Sequence, residues 1–242
     1  MRLSILSPCA VFCLLASTQA FALDYIYSPI AEPGELAVEY SGSRTFDGSS
    51  AKNGAQEHEL KMEYGFDRLT LEGSAGFSKE PQGNLHFSDY ELESRLQLFQ
   101  QGRYWLDAGL LAAFQKSVHS TDPNSLEIKL LLQKDVGRFT NIANIGFTQD
   151  VGHNAAGGPD YVFLWNTRYR YNEEFQPGIE IQSALGQDAA LRRFNAQQHY
   201  IGPAVYGRLF GHVQYQAAWL AGVSDSASTS AARLLLEYEM HI

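Results

Sequence analysis

Cysteine is nearly absent from this 242-residue sequence, and its two copies, Cys9 and Cys13, both lie close to the N-terminus. They fall in a short apolar run that follows a positive residue and precedes an Ala-Phe-Ala sequence at 20–22. This arrangement is typical of a secretory signal peptide with its cleavage site. The run is also shorter than a membrane-spanning helix, which needs about 20 residues. We therefore expect residues 1–22 to be removed, which excludes disulfide bonds, thiolate metal sites and thiol nucleophiles from the remaining chain.

Long apolar runs and an excess of positive charge are missing as well. No stretch after residue 22 reaches 18 consecutive apolar residues, which argues against helical membrane spans. The chain has 18 Lys and Arg against 27 Asp and Glu. Because a nucleic-acid partner requires a basic stripe on the protein, this charge balance predicts no nucleic-acid binding.

Alternation of apolar and polar residues fills most of the chain, and this is the pattern of β-strands. The connections between the predicted strands alternate in length, with five short turns and six longer polar loops. Outer-membrane barrels combine an even number of strands with short periplasmic turns and longer external loops. The sequence therefore predicts an all-β fold, a transmembrane antiparallel up-and-down β-barrel of about 12 strands. The predicted strands lie near 35–45, 57–66, 68–79, 86–99, 103–116, 125–136, 138–150, 160–172, 177–187, 198–209, 212–223 and 230–242.

The two faces of each predicted strand differ in chemistry. Near residue 90, for example, Tyr90 and Leu92 lie on one face and Glu91 on the other, because successive side chains of a strand point to opposite sides. A Lys or Arg facing the middle of a bilayer costs about 2–4 kcal/mol, so the charged face must line the lumen. The alternative is a soluble barrel or sandwich with its apolar face inward. Its interior would be overfilled by so many large apolar side chains.

The charged face supplies the candidate functional residues. Twelve strands enclose a lumen between the filled interior of eight-stranded barrels and the water channels of larger ones. Rings of charge set ion selectivity in pores, and the excess of acid here favours cations. The alternative is a salt-bridged interior that satisfies its own charges. The predicted lumen-lining residues are Glu39, Glu59, Lys61, Glu63, Glu72, Glu91, Glu93, Arg95, Asp107, Glu127, Lys129, Arg168, Arg170, Glu180, Arg233, Glu237 and Glu239.

Two of these residues, Arg168 and Arg170, share one face of a predicted strand and form a local cationic pair. Guanidinium groups can grip a carboxylate or phosphate through two hydrogen bonds. The acidic lumen favours the other interpretation, in which the pair neutralises glutamates of neighbouring strands.

Motifs for catalysis or metal binding are scarce. The seven histidines show neither an H-x-H nor an H-x-x-x-H spacing, which argues against a zinc site. A barrel that hydrolyses lipid would need Ser and His together on its lipid-facing surface. The candidates Ser94 and Ser183 have no histidine nearby in sequence and no G-x-S-x-G motif, although Ser and His from different strands could still meet. We predict that the protein is not an enzyme and has no cofactor and no metal.

The C-terminal strand resembles the signal that the outer-membrane barrel assembly machinery reads. That signal has apolar residues at alternate positions back from the chain end. Its last residue is usually aromatic, whereas here it is isoleucine. The residues in question are Leu234, Leu236, Tyr238, Met240 and Ile242.

Three further stretches carry a family resemblance. They are Tyr27-Ser28-Pro29 with Pro33-Gly34-Glu35, the turn Glu63-Tyr64-Gly65-Phe66-Asp67-Arg68, and Tyr104-Trp105-Leu106-Asp107-Ala108-Gly109-Leu110. Together they resemble a family of uncharacterised proteobacterial outer-membrane β-barrel proteins, over most of the predicted mature chain. The resemblance implies fold and location only, because that family has no assigned activity.

The chain is predicted to contain a signal peptide at 1–22, a periplasmic lead-in at 23–34 and an outer-membrane β-barrel at 35–242. The lead-in is either a short tail or a stub that tucks into the lumen. The first functional hypothesis is a passive narrow pore or solute channel of the bacterial outer membrane. The alternatives are a structural or adhesive barrel with a plugged lumen, acting through external loops such as 188–197, and a wall-embedded lipid hydrolase. The predicted partners are outer-membrane lipid, the barrel assembly machinery and small solutes.

Overall fold

Twelve β-strands make up most of the structure, a computed structural model that describes residues 23–187 and 193–241. The predicted signal peptide, residues 188–192 and Ile242 lie outside the described residues. In chain order the strands are β1 (Glu35–Phe46), β2 (Gln56–Gly65), β3 (Leu69–Lys79), β4 (His86–Gln97), β5 (Asp107–Ser117), β6 (Asn124–Val136), β7 (Phe139–Val151), β8 (Asp160–Tyr169), β9 (Gln176–Gln187), β10 (Gln198–Leu209), β11 (Val213–Gly222) and β12 (Ser230–His241).

The strands form one closed antiparallel barrel. Each strand pairs with its neighbours in sequence, and β1 pairs with β12 to complete the ring. Closure gives the backbone groups of every strand a partner on both sides, so no strand edge is left open. The predicted antiparallel up-and-down barrel of about 12 strands is confirmed. Among the described residues, no helix has the length and apolar character required to cross a bilayer.

Alternate residues face the inside and the outside of the barrel, and β2 shows the contrast. Lys61 is 5 % exposed and points into the lumen, whereas the next residue, Met62, is 59 % exposed on the outer surface. Because the side-chain period of a strand is two, alternate residues face outward and inward. The outward faces are apolar, while the inward faces carry the buried charges together with some apolar residues, such as Leu111 and Leu164. The apolar face would be unstable in water over so many strands, which fits an outer surface covered by lipid.

The two ends of the barrel differ in their connections. We call the end where β1 begins and β12 finishes the turn end, and the opposite end the loop end. Four of the five connections at the turn end span two to six residues, at 66–68, 137–138, 170–175 and 210–212. The fifth, at 98–106, has nine residues.

That longer connection corrects the prediction that a strand begins near residue 103. Tyr104 keeps the apolar parity of β5, but it lies in the connection, because β5 begins at Asp107. Gly102 adopts a left-handed backbone conformation, with φ at 71°, and its N–H donates to Asp107 Oδ1 at 2.6 Å. The alternation in sequence therefore continues past the point where the backbone bends away.

Candidate functional site

Residues 23–33, here called the N-terminal segment, run inside the barrel. At the turn end, Gly34 has a left-handed φ of 78° and donates its N–H to the carbonyl of Gly65 at 2.8 Å. This turn reverses the chain just before β1. Before this turn, the segment runs through the lumen from the loop end. There Leu23 belongs to a buried apolar cluster that includes Ala227. The lumen is therefore occupied by the chain's own N-terminal residues.

Two inward-facing amide side chains hold the backbone of this segment. Asn144 accepts the N–H of Tyr27 at 2.7 Å and donates to its carbonyl at 2.9 Å. Gln182 makes the same pair of bonds with Asp24, both at 2.9 Å. Since a buried backbone group without a partner costs about as much as a lost hydrogen bond, these side chains replace the neighbouring strand that the segment lacks.

Two glycines of the barrel make room for the segment. A Cβ atom added at Gly65 would lie 2.0 Å from the carbonyl oxygen of Glu32, and one added at Gly109 would lie 3.0 Å from Cβ of Pro29. Any larger side chain at these positions would push the segment away from the inner surface of β2 or β5.

A dense cluster of charges surrounds Lys61 in the lumen. Its ammonium lies 3.0 Å from Glu72 and 3.2 Å from Glu59, and it donates to the hydroxyl of Tyr27 at 2.6 Å. Arg95 continues the cluster with an ion pair to Glu93 at 3.1 Å, and it also pairs with Glu63. The predicted lumen residues of β2 to β4 are therefore brought together, and they also contact the N-terminal segment.

A second group of ion pairs lies around the rest of the ring. Lys129 pairs with Glu127 at 2.9 Å and with Asp24 of the N-terminal segment. On the other side of the lumen, Arg233 pairs with Glu180 at 2.7 Å. Most of the predicted inward cations are thus matched by carboxylates, as the salt-bridged alternative required.

Some predicted lumen residues are not drawn into these pairs. Glu91 and Glu237 have no ion pair or hydrogen bond with any described residue, and Arg168 has none either. Asp107 bonds to the turn-end connection, and Arg170, beyond the end of β8, pairs with Asp135 at the rim. These last two positions lie at the turn end of the barrel rather than deep in the lumen.

Sequence reasoning missed the residues that position the N-terminal segment. Asn144 lies at an inward position between Ile142 and Gly146, and an amide flanked by apolar residues on the inward face was the available signal. Gln182 and Asp24 carried no comparable signal, because they are 158 residues apart in sequence.

A cavity of about 480 Å³ remains in the lumen at the turn end. Tyr25 and Tyr27 of the N-terminal segment form part of its lining. The rest comes from inward-facing side chains, among them Glu39, Arg168 and Glu237. The size falls within the range of small-molecule sites, which is about 300–1,000 Å³.

Three groups of side chains have ligand atoms close enough to share a cation, within 4.8 Å of one another among the described residues. In one of them, Glu59 and Glu72 are already compensated by Lys61. The other two meet at Glu35, beside the junction of β1 and β12. The absence of a metal stays a prediction.

Ser183 and His199 do meet on neighbouring strands. The Nδ1 atom of His199 lies 2.8 Å from Ser183 Oγ, and its Nε2 atom lies 2.7 Å from Gln197 Oε1. Phe194 stacks on the imidazole with ring centroids 4.3 Å apart, and Ser183 is only 5 % exposed. The contact fastens the segment before β10 to β9, and the absence of enzymatic activity stays a prediction. The other candidate, Ser94, donates to the carbonyl of Ala112 at 3.3 Å.

The predicted assembly signal lies on the outer surface of β12. Leu234 and Leu236 are exposed and Tyr238 is half exposed, with Met240 following at the same parity. Ile242 lies outside the described residues. Recognition by the assembly machinery stays a prediction.

The fold has counterparts among solved structures of outer-membrane channels. The COG4313 outer membrane channel from Pseudomonas putida F1 has a TM-score of 0.65 at 13% sequence identity, covering 92% of this chain and 100% of that chain. A KdgM porin has a TM-score of 0.58 at 10% identity, covering 85% and 99%. A NanC porin has a TM-score of 0.57 at 10% identity, covering 84% and 100%. At this level of identity the likeness concerns the fold, a β-barrel of the kind that these channels share.

No family model matches the sequence, and no curated protein matches it.

Proposed function

We propose that the protein is a passive narrow pore of the bacterial outer membrane, with an acidic lumen that favours cations and small solutes over simple anions. The observation that carries the proposal is the closed barrel with charged side chains inward and apolar side chains outward. Carboxylates without a cation, such as Glu91 and Glu237, give the lumen its negative excess. Rings of fixed charge of this kind bias which ions pass.

The N-terminal segment sets the width of the path. It fills the middle of the lumen and is tied to the wall by Asn144, Gln182 and Lys129. We expect the remaining route to pass through the cavity at the turn end. We therefore expect a small conductance, limited by the segment rather than by the barrel.

Recording of the refolded protein in a planar bilayer tests this function. We expect a small, cation-selective current in KCl, and a conductance several times larger when residues 23–30 are deleted. A deletion of similar size in the external loop, residues 152–158, is the matched control and should leave the conductance near that of the wild type. If neither the full protein nor the shortened one conducts in any salt, the pore function is wrong. A barrel acting through its external loops would then be favoured.

The outer-membrane location rests on the same outward apolar surface and on the fold shared with outer-membrane channels. Membership in the family of uncharacterised proteobacterial outer-membrane barrels is part of this proposal. We expect the protein to fractionate with the outer membrane, without residues 1–22, and to migrate differently before and after boiling. Recovery as a soluble protein without detergent would contradict the location.

A further inference from the structure

Among the residues that the structure describes, one cation lining the cavity at the turn end has no counter-ion. Three positive side chains line it, and two of them are paired, Arg95 with Glu63 and Arg208 with Glu239. The side chain of the third, Arg168, makes no hydrogen bond or ion pair with any described residue, and its Nε atom is shielded from water. Its guanidinium carbon lies over the Tyr206 ring, 5.6 Å from the ring centroid.

The same cavity also contains an unpaired carboxylate. Glu237 of β12 lines it and has no ion pair or hydrogen bond with a described residue. Glu39 lies on the same side, and the ammonium of Lys61 is 4.0 Å from its carboxylate. In the closed ring, β8 and β12 are four strands apart, so Arg168 and Glu237 approach the cavity from different sides rather than pairing with each other.

An unpaired charge in a partly closed space is costly unless something compensates it. A simple anion could pair with Arg168, but it would be repelled by the carboxylates around it. A simple cation could pair with Glu237 and would leave Arg168 uncompensated. A molecule with a carboxylate at one end and an ammonium at the other satisfies both charges at once.

We propose that this cavity is a binding subsite for small zwitterions, with the solute's carboxylate at Arg168 and its ammonium at Glu237. Two shielded amide oxygens without partners, on Asn166 and Gln216, line the same space and accept hydrogen bonds from an ammonium or amide group. The inference rests on the proposed pore function, because the subsite lies on the route through the lumen. It names amino acids and similar ω-amino acids as the solute class.

Binding to the refolded barrel in detergent can be measured without any current, by saturation-transfer NMR. The probes are glycine, γ-aminobutyrate and 6-aminohexanoate, compared with butyrate and butylammonium at equal ionic strength. We expect at least one ω-amino acid to bind about tenfold more tightly than both single-charge analogues, since it gains a second charge-assisted hydrogen bond. The preferred chain length then reports the separation of Arg168 and Glu237. Equal binding of the zwitterions and the single-charge analogues would overturn the proposal.

Substitutions locate the site. Arg168→Gln and Glu237→Gln should each weaken γ-aminobutyrate or 6-aminohexanoate binding by about tenfold, with the loss on butyrate confined to Arg168→Gln. Arg138→Gln removes an exposed guanidinium from the β6–β7 turn and should leave binding unchanged. Unboiled samples must keep the mobility of a folded barrel, and a double variant, R168E/E237R, restores binding if the two charges act as proposed.

If both single variants bind as the wild type does, the subsite is wrong even where the protein conducts KCl. A barrel that binds zwitterions but conducts nothing would refute the pore and leave the subsite standing.

Discussion

Charged groups join parts of the chain both inside the lumen and at the loop end. The two places differ in how much those contacts contribute to the stability of the fold. In the lumen, Lys61 is almost completely buried among Glu59, Glu72 and Tyr27. At the loop end, Asp47 accepts from the N–H of Thr229 at 2.8 Å in a contact exposed to water.

The difference is set by the surroundings rather than by bond length. A charge taken out of water must be compensated by its partners, so removing one partner of a buried pair is strongly destabilising. An exposed pair exchanges one hydrated state for another and is worth about 0–1 kcal/mol. Contacts of similar length in this protein should therefore differ several-fold in their contribution to stability.

Replacing the central cation of the lumen is expected to have the largest effect. Lys61→Met leaves Glu59 and Glu72 close together without their cation and should lower the free energy of unfolding by about 3–5 kcal/mol. The measurement is urea-induced unfolding of the refolded barrel in lipid vesicles, followed by tryptophan fluorescence.

The control for this variant removes a cation from the surface. The side chain of Arg68 is 55 % exposed in a turn and lies 3.9 Å from Asp67, so Arg68→Met should change the stability by less than about 1 kcal/mol. Equal losses of unfolding free energy from the two variants would show that burial does not determine how much a charge contributes to stability.

Removing a hydrogen-bonded contact between the barrel and the N-terminal segment should have the second largest effect on stability. Asn144→Ala leaves the N–H and carbonyl of Tyr27 without partners, and we expect a loss of about 2–3 kcal/mol together with a larger, noisier conductance. The matched control is Asn141→Ala on the same strand, where the side chain donates to the carbonyl of Lys134 in β6 at 3.3 Å. A stability loss without any change in current would show that the segment does not limit the path.

The sequence predicted the barrel well because the outward face of the strands is apolar, while the inward face of most strands carries charged or polar side chains. The bounds of β10 agree with the prediction at both ends, 198 and 209. The prediction is off by four residues at the start of β5, where Tyr104 continues the alternation into a connection. The alternation of side chains along a strand identifies which residues share a face, without knowledge of how the strands pair.

The site was harder to predict, since alternation says which face a residue lies on but not which residue lies opposite. It placed Lys61, Glu72 and Arg168 on the inward face, yet it could not tell that the first two pair and the third does not. The contact of Lys129 with Asp24 joins residues 105 positions apart. Whether the lead-in enters the lumen depends on such distant contacts, so the sequence left that question open.

Space inside the lumen should matter as well as charge, with a smaller effect. Gly109→Ala places a Cβ atom 3.0 Å from Pro29 and 3.1 Å from the carbonyl oxygen of Leu96, and overpacking of this kind costs about 1–2 kcal/mol. Gly73→Ala is the control, because its Cβ would meet Leu92 at an ordinary 3.8 Å. Thermal unfolding, monitored by the boiled-to-unboiled shift in mobility, compares the two. If Gly109→Ala unfolds at the same temperature as Gly73→Ala, the N-terminal segment is free to move away from β5.

The smallest expected effect lies at the external loops and depends on pH. The N–H groups of Ser49 and Thr229 donate to Asp47, and these bonds hold the pKa of its carboxyl below the ordinary 3.8. A lowered pKa in the folded state means that the contact stabilises fully above the unfolded value and is lost as pH falls through the folded one. Asp47→Asn should therefore lower the melting temperature slightly at pH 7, and the difference from the wild type should vanish once the pH falls below the folded-state pKa of Asp47. A difference that stays constant down to that pH would show that the carboxylate charge contributes nothing, and that the loops are joined by shape alone.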